Sequence, residues 1–151
     1  MKKSIVFILT MGILLTSQVA LSQKATTKKE KLVVQFLDGF TDPAQWEGSL
    51  ALLANDYTFR NPMVSLTSKD EFVVLAAQIA QVVTAININQ IVGQGNWVAV
   101  RYEFQTAIPG VTSNLATEWF RVEKGLIHES HLIYDASEWR KVYAQMQNST
   151  D

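Results

Sequence analysis

Polar and apolar positions alternate with two different periods along this chain. From Glu30 to Phe40 the apolar residues Leu32, Val33, Phe36, Leu37 and Phe40 recur at three- and four-residue steps, which predicts a helix buried along one stripe. Asp42-Pro43 with Gln45 predicts a second helix start, with Asp42 as its cap and Trp46, Leu50 and Leu53 as its buried face. Asn55-Asp56 reads as a turn, and Tyr57 to Asn61 as a short strand stopped by Pro62. Ser68 with Glu71 forms another capping box, opening a helical stripe through Phe72, Leu75, Ala76, Ile79 and Val83.

Beyond that stripe the period becomes two. "TAININQIV" alternates, "GQGN" turns it into "WVAVRYEFQTA", and a loop at Pro109-Gly110 leads to "NLATEWFRV". Glu123-Lys124-Gly125 is a turn into "LIHESHLIY", with Gly125 free to take positive φ. Asp135 and Glu138 then cap a last helix bearing Trp139, Val142, Tyr143 and Met146. Helices segregated to one face of a strand meander make an α+β domain. A curved sheet wrapped over helices leaves a conical cavity between them.

Composition adds the compartment. Lys2 and Lys3, the apolar run Ile5 to Leu15, and Ala20-Leu21-Ser22 together read as a secretory signal peptide over residues 1–22. Its apolar run is short for a bilayer span, so the expectation is cleavage, no stable membrane anchor, and a periplasmic or secreted product. Residues 23–29 are expected to be a flexible N-terminal segment, and residues 30–148 a single domain. The chain has no cysteine, so its core must suffice without disulfides. Thirteen basic against 14 acidic residues, with no basic run, argue against a nucleic-acid partner. His128 and His131 lie three apart on a strand and point to opposite faces, so no metal site is expected. No phosphate loop or nucleophile elbow occurs, and no cofactor is expected.

The remaining candidates are polar residues on strands. Glu118 shares a face with Phe120 and Val122, which points it inward, where burial would raise its pKa and make it an acid or a hydrogen-bond donor. Arg101 and Glu103 share the opposite face of their strand from Val98, Val100, Tyr102 and Phe104. Hydrophobicity alone turns the valines to the core and leaves Arg101 and Glu103 in solvent. Trp97 and Trp119 are candidates for an exposed outer face, where aromatics suggest a protein partner.

The element order, together with "LLANDYTFRNP" and "VEKGLIHESHLIYD", resembles the nuclear transport factor 2-like superfamily and its SnoaL-like branch. The pieces that carry the resemblance are the aromatic strand ending at Asn61-Pro62 and the strand from Gly125 that ends in Tyr134-Asp135. It implies a cone-shaped fold, a curved antiparallel sheet packed on N-terminal helices around a central pocket, and often dimers through the outer sheet face. Isomerase-like members place a catalytic Asp where this chain has Asn61, whose neutral amide cannot act as that base. Epoxide-hydrolase-like members use Arg-x-Asp on a central strand, matched here by Arg101 and Glu103, which this comparison turns inward. They also use an aromatic-x-Asn, matched by Phe59 and Asn61, and an Asp on the last strand, whose position falls on Leu132. The cyclases keep their catalytic Asp at that same place. Counting along the last strand puts His128, Ser130, Leu132 and Tyr134 on the pocket face.

Both family carboxylate positions are thus replaced, by Asn61 and Leu132. The expectation is a domain that binds a small hydrophobic molecule without catalysis, with Phe59, Asn61, Tyr102, His128, Leu132 and Tyr134 as ligand contacts. The alternative is an isomerase, cyclase or epoxide-hydrolase-like enzyme with Glu118 or Glu103 as acid/base and Arg101 orienting it. A second alternative is an interaction module, a homodimer joined through the outer sheet face.

Overall fold

The computed structural model describes residues 24–148. The signal-peptide reading of residues 1–22 lies outside them. The chain runs through helix α1 (Lys28–Asp38), a 3-10 turn (Pro43–Gln45) continuing into helix α2 (Trp46–Leu50), strands β1 (Leu53–Arg60) and β2 (Ser65–Leu66), and helix α3 (Lys69–Ala80). Strands β3 (Val83–Gln94), β4 (Trp97–Thr106), β5 (Ser113–Glu123) and β6 (Leu126–Tyr134) and helix α4 (Ser137–Asn148) complete it.

The strands form one curved sheet in the order β2-β1-β6-β5-β4-β3. The expected antiparallel sheet has one parallel pairing, β1 with β6, because the chain reaches β6 only after crossing the whole meander. Curvature has a local source. Asn89 is an extra residue in β3 opposite the Tyr102–Arg101 step, and His128 with Glu129 opposes the single Arg121. Each such bulge bends the bulged strand and increases its twist. A larger irregularity in β1, between Leu53 and Thr58, contains Asn55 and Asp56. These two residues, expected as a turn, therefore protrude from inside a strand, both exposed. Leu53, expected on a helix, starts that strand and is fully buried.

The concave face carries the core. Val98, Val100, Tyr102 and Phe104 of β4, Ala116, Phe120 and Val122 of β5, and Ile127 of β6 are buried on it. Phe36 of α1 meets Phe120 edge-on at 5.8 Å, and Phe72 of α3 packs on Tyr57 and Phe59 of β1. The helical stripe and the strand period thus meet on one surface, as their apolar spacing requires.

Helix α1 is fastened at its start by Glu30. Thr27 Oγ1 accepts from Glu30 N, and Glu30 Oε2 accepts from Thr27 N at 2.9 Å and from Thr26 N at 2.7 Å. Glu30 Oε1 accepts from Gly93 N of β3 at 2.9 Å, where a Cβ on residue 93 would lie 3.3 Å from that oxygen. The capping box therefore also ties the helix to the sheet, and it fixes Thr26 and Thr27 within the segment read as flexible. These backbone donors hold the Glu30 carboxyl at about 2, well below the ordinary carboxylate range.

Glu30→Ala leaves three backbone N–H groups without this acceptor, and the expected loss at neutral pH is about 1–3 kcal/mol in denaturant titrations. Because the folded-state value is depressed, the contribution is full above about pH 4.5 and disappears as pH falls through about 2. A wild type and variant equally stable at neutral pH would refute the role of this carboxylate.

Candidate functional site

Between the concave face and the helices lies a cavity of about 360 Å³. Its walls come from every layer: Phe36 and Phe40 of α1, Phe72 and Ile79 of α3, Phe104 of β4, and Trp139 and Tyr143 of α4. Among the described residues that line it, nine are aromatic and none is lysine, arginine or histidine. The site therefore offers aromatic rings and very few polar atoms.

The main polar feature is Glu118. Strand β5 alternates strictly here, so Glu118 falls between Ala116 and Phe120 on the buried face and is 4% exposed. Its neighbours across the strands supply donors. Tyr102 of β4 donates from Oη to Glu118 Oε2 at 2.8 Å, and Ser130 of β6 donates from Oγ to Oε1 at 2.7 Å. Ser130 Oγ in turn lies 2.7 Å from Tyr57 Oη of β1. With the serine proton committed to Glu118, Tyr57 is the donor of that contact. Four strands therefore contribute to one chain of hydrogen bonds ending on the carboxyl.

Burial raises the Glu118 pKa to about 7, against the two hydrogen bonds, which lower it. Burial, with the Glu118 charge adding to it, pushes the Tyr57 and Tyr102 hydroxyls well above their usual value, so both remain protonated donors. A carboxyl that changes charge near neutrality, in an apolar wall, can accept from a ligand donor or give a proton to a ligand acceptor.

The expected contacts divide into two groups. Phe59, Asn61, Tyr102, Leu132, Tyr134 and Glu118 all line the cavity. Leu132 sits directly across from Glu118 in the β5–β6 register. Asn61 is partly committed: its Oδ1 accepts from Met63 N and Val64 N, both at 2.8 Å, closing the turn after Pro62. Its amide nitrogen is the part left to meet a ligand.

Arg101, Glu103 and His128 stand elsewhere, which corrects three expectations. Valine burial decides β4. Val98, Val100, Tyr102 and Phe104 take the core, so Arg101 and Glu103 fall on the outer face, and Glu103 accepts from Ser113 Oγ. With Arg101 turned away, it cannot orient a carboxylate in the cavity. His128 is displaced by the β6 bulge: Ile127 takes the inward position, and His128 Nδ1 pairs with Asp56 Oδ1 at 2.8 Å. Ser130, expected on the pocket face, is there as a donor to Glu118. Tyr57, Trp139 and Tyr143 were not expected as parts of the site. The period of two from Phe59 to Tyr57 is the signal that places the first of these.

A curved sheet closed over helices around one such cavity defines a nuclear transport factor 2-like fold. The chain belongs to the SnoaL-like domain family, whose profile matches residues 33–130. Among solved structures it is similar to a protein from Kribbella flavida, at 14% identity and a TM-score of 0.68 over 78% of this chain and 95% of that one. It is also similar to a nuclear transport factor 2-like protein of unknown function from Cytophaga hutchinsonii, at 17% identity and 0.62, over 80% and 99%. A third is an LEH-like epoxide hydrolase from M. tuberculosis, at 18% identity and 0.62, over 74% and 85%. Among curated proteins none matches the sequence.

Because the folded state holds the Glu118 proton up to about pH 7 and an unfolded glutamate releases it near 4.5, wild-type stability falls as pH rises between those values. The fall amounts to about 3 kcal/mol at most. Glu118→Gln removes it. Denaturant titrations of both proteins at the two ends of that window measure the difference, and parallel pH responses would show that Glu118 is not the titrating group.

Proposed function

We propose that this protein binds a small, largely apolar molecule in the cavity, without catalysis, and that Glu118 anchors the molecule's polar group. One observation carries the reading: an aromatic-walled space of about 360 Å³ meets the buried carboxyl of Glu118, with no cationic side chain among the described lining residues. Pockets of this size and polarity bury most of a small ligand and orient it by one or two polar contacts. Binding is preferred over turnover because the wall lacks the arginine and second carboxylate of the epoxide-hydrolase pattern, and Asn61 stands where the isomerase pattern has its base.

One observation favours an enzyme instead. A carboxyl titrating at about 7 beside a tyrosine donor is suited to moving protons at neutral pH. Thermal shift with a panel of cyclic alcohols, ketones and epoxides, followed by product analysis of the same mixtures, separates the two readings. Stabilisation without products, abolished when Ala76→Trp fills the cavity, is the expected result. Product formation that disappears in Glu118→Gln would replace binding with catalysis. No stabilisation by any compound would refute the ligand reading.

We further infer that the outer sheet face joins two copies of the chain. Val92, Trp97, Trp119 and Ile133 are exposed there and, with Arg60, Glu129 and His131, line a second groove. Both charge signs border the aromatics, so a two-fold contact can pair them. The expected result is a sedimenting dimer that becomes a monomer with Trp97→Ala and Trp119→Ala combined, and a monomeric wild type would overturn it.

A further inference from the structure

Glu118 poses an electrostatic problem that the described residues do not solve. It is a buried carboxyl, and among the described residues its cavity wall carries no lysine, arginine or histidine. A buried carboxylate without a counter-charge is unfavourable, and burial alone would keep it protonated. Yet its surroundings are built for the anion. Tyr102 and Ser130 both direct hydroxyl protons at it, from opposite neighbouring strands, and Tyr57 backs the serine. None of these bonds requires a proton on the carboxyl. The arrangement supports a negative charge and leaves its partner to come from elsewhere.

The remaining wall indicates the sign of that partner. Phe36, Phe40, Phe59, Phe72, Phe104 and Trp139 surround the space. Aromatic faces carry negative partial charge and attract cations, more strongly where water is excluded. Aromatic rings and a carboxylate in one site favour the same sign of charge.

We propose that the ligand of this cavity is a small hydrophobic amine, held as its ammonium ion against Glu118 with its carbon skeleton among the aromatic rings. This rests on the cavity being a ligand site, as argued above, and names the chemical class of that ligand. The ammonium donates to the lone pairs of Glu118 that Tyr102 and Ser130 leave open. When a neutral amine enters while Glu118 is protonated, the carboxyl proton passes to the amine nitrogen, and one ion pair replaces two neutral groups. The titratable groups facing Glu118 are the hydroxyls of Tyr102 on β4 and, behind Ser130, of Tyr57 on β1. Tyr134 on β6 and Tyr143 on α4 complete those of the wall. The tyrosines next to the carboxyl stay protonated across the neutral range, which leaves Glu118 and the amine to set the pH dependence.

The test is calorimetric titration of the protein with a rigid pair of equal shape, 1-adamantylamine and 1-adamantanol, together with adamantanone. At about pH 8 the amine is expected to bind at least about tenfold more tightly than the alcohol, as a charge-assisted bond should. Its affinity should rise as pH increases through about 7, while that of the alcohol does not. Glu118→Gln should reduce the preference to near parity. Tyr102→Phe, which removes one donor and keeps the ring, should weaken the amine selectively and serves if the glutamine variant does not fold. Equal or tighter binding of the alcohol or the ketone would overturn the amine assignment and leave the ligand cavity intact. So would an amine preference that survives Glu118→Gln. Binding by none of the three would overturn both.

Discussion

The pleat of the long strands is the constraint on which the rest of the structure depends. A side chain on a strand faces in or out according to its count from its neighbours, and one extra residue reverses the count. On β4 the count runs unbroken and gives the core to Val98, Val100, Tyr102 and Phe104. On β5 it runs unbroken and buries Glu118. On β6 it is interrupted once, and the interruption moves His128 off the concave face and turns Ile127 into the core. The chemistry available to the site follows from these three counts.

What the sequence made legible is what this period controls. The α+β order, the meander, the aromatic helices and the inward Glu118 all follow from apolar spacing, because the residues that decide them are the ones removed from water. The outward Arg101 and Glu103 were legible from the same pattern, and only the likeness to epoxide hydrolases turned them inward. The bulges were not legible. At His128-Glu129 and at Asn89 the paired strand fixes the register, and a single strand read alone carries no record of its partner. Asn55 and Asp56 are residues that favour turns, but they lie in the irregularity between Leu53 and Thr58, flanked on both sides by residues paired with β6. Of the last helix's aromatics, Trp139 is buried as its spacing implies, whereas Tyr143 stays exposed. That both also line a cavity depends on where the helix docks, which is a tertiary matter.

The site combines a charge the fold does not neutralise with hydrogen bonds that favour the charge. Such a balance keeps Glu118 near its titration point, where a modest interaction can settle its protonation state. At the two positions where the resemblance implies carboxylates stand Asn61 and Leu132, one neutral and polar, the other inert. The cavity retains the shape of the family and leaves its electrostatics open to whatever enters.

The walls of the cavity come from positions as far apart as Phe36 and Tyr143. None of the local elements contains a usable part of it. The chain must close its longest loops before the aromatic faces come together, and such closures are slow because their entropy is spent before contacts reward it. A chain in which α4 is undocked leaves open the part of the cavity that Trp139 and Tyr143 wall. The occupant of the finished cavity would then act on the last stage of folding as much as on the native state: by binding only the closed form, it withdraws molecules from the population most prone to aggregate.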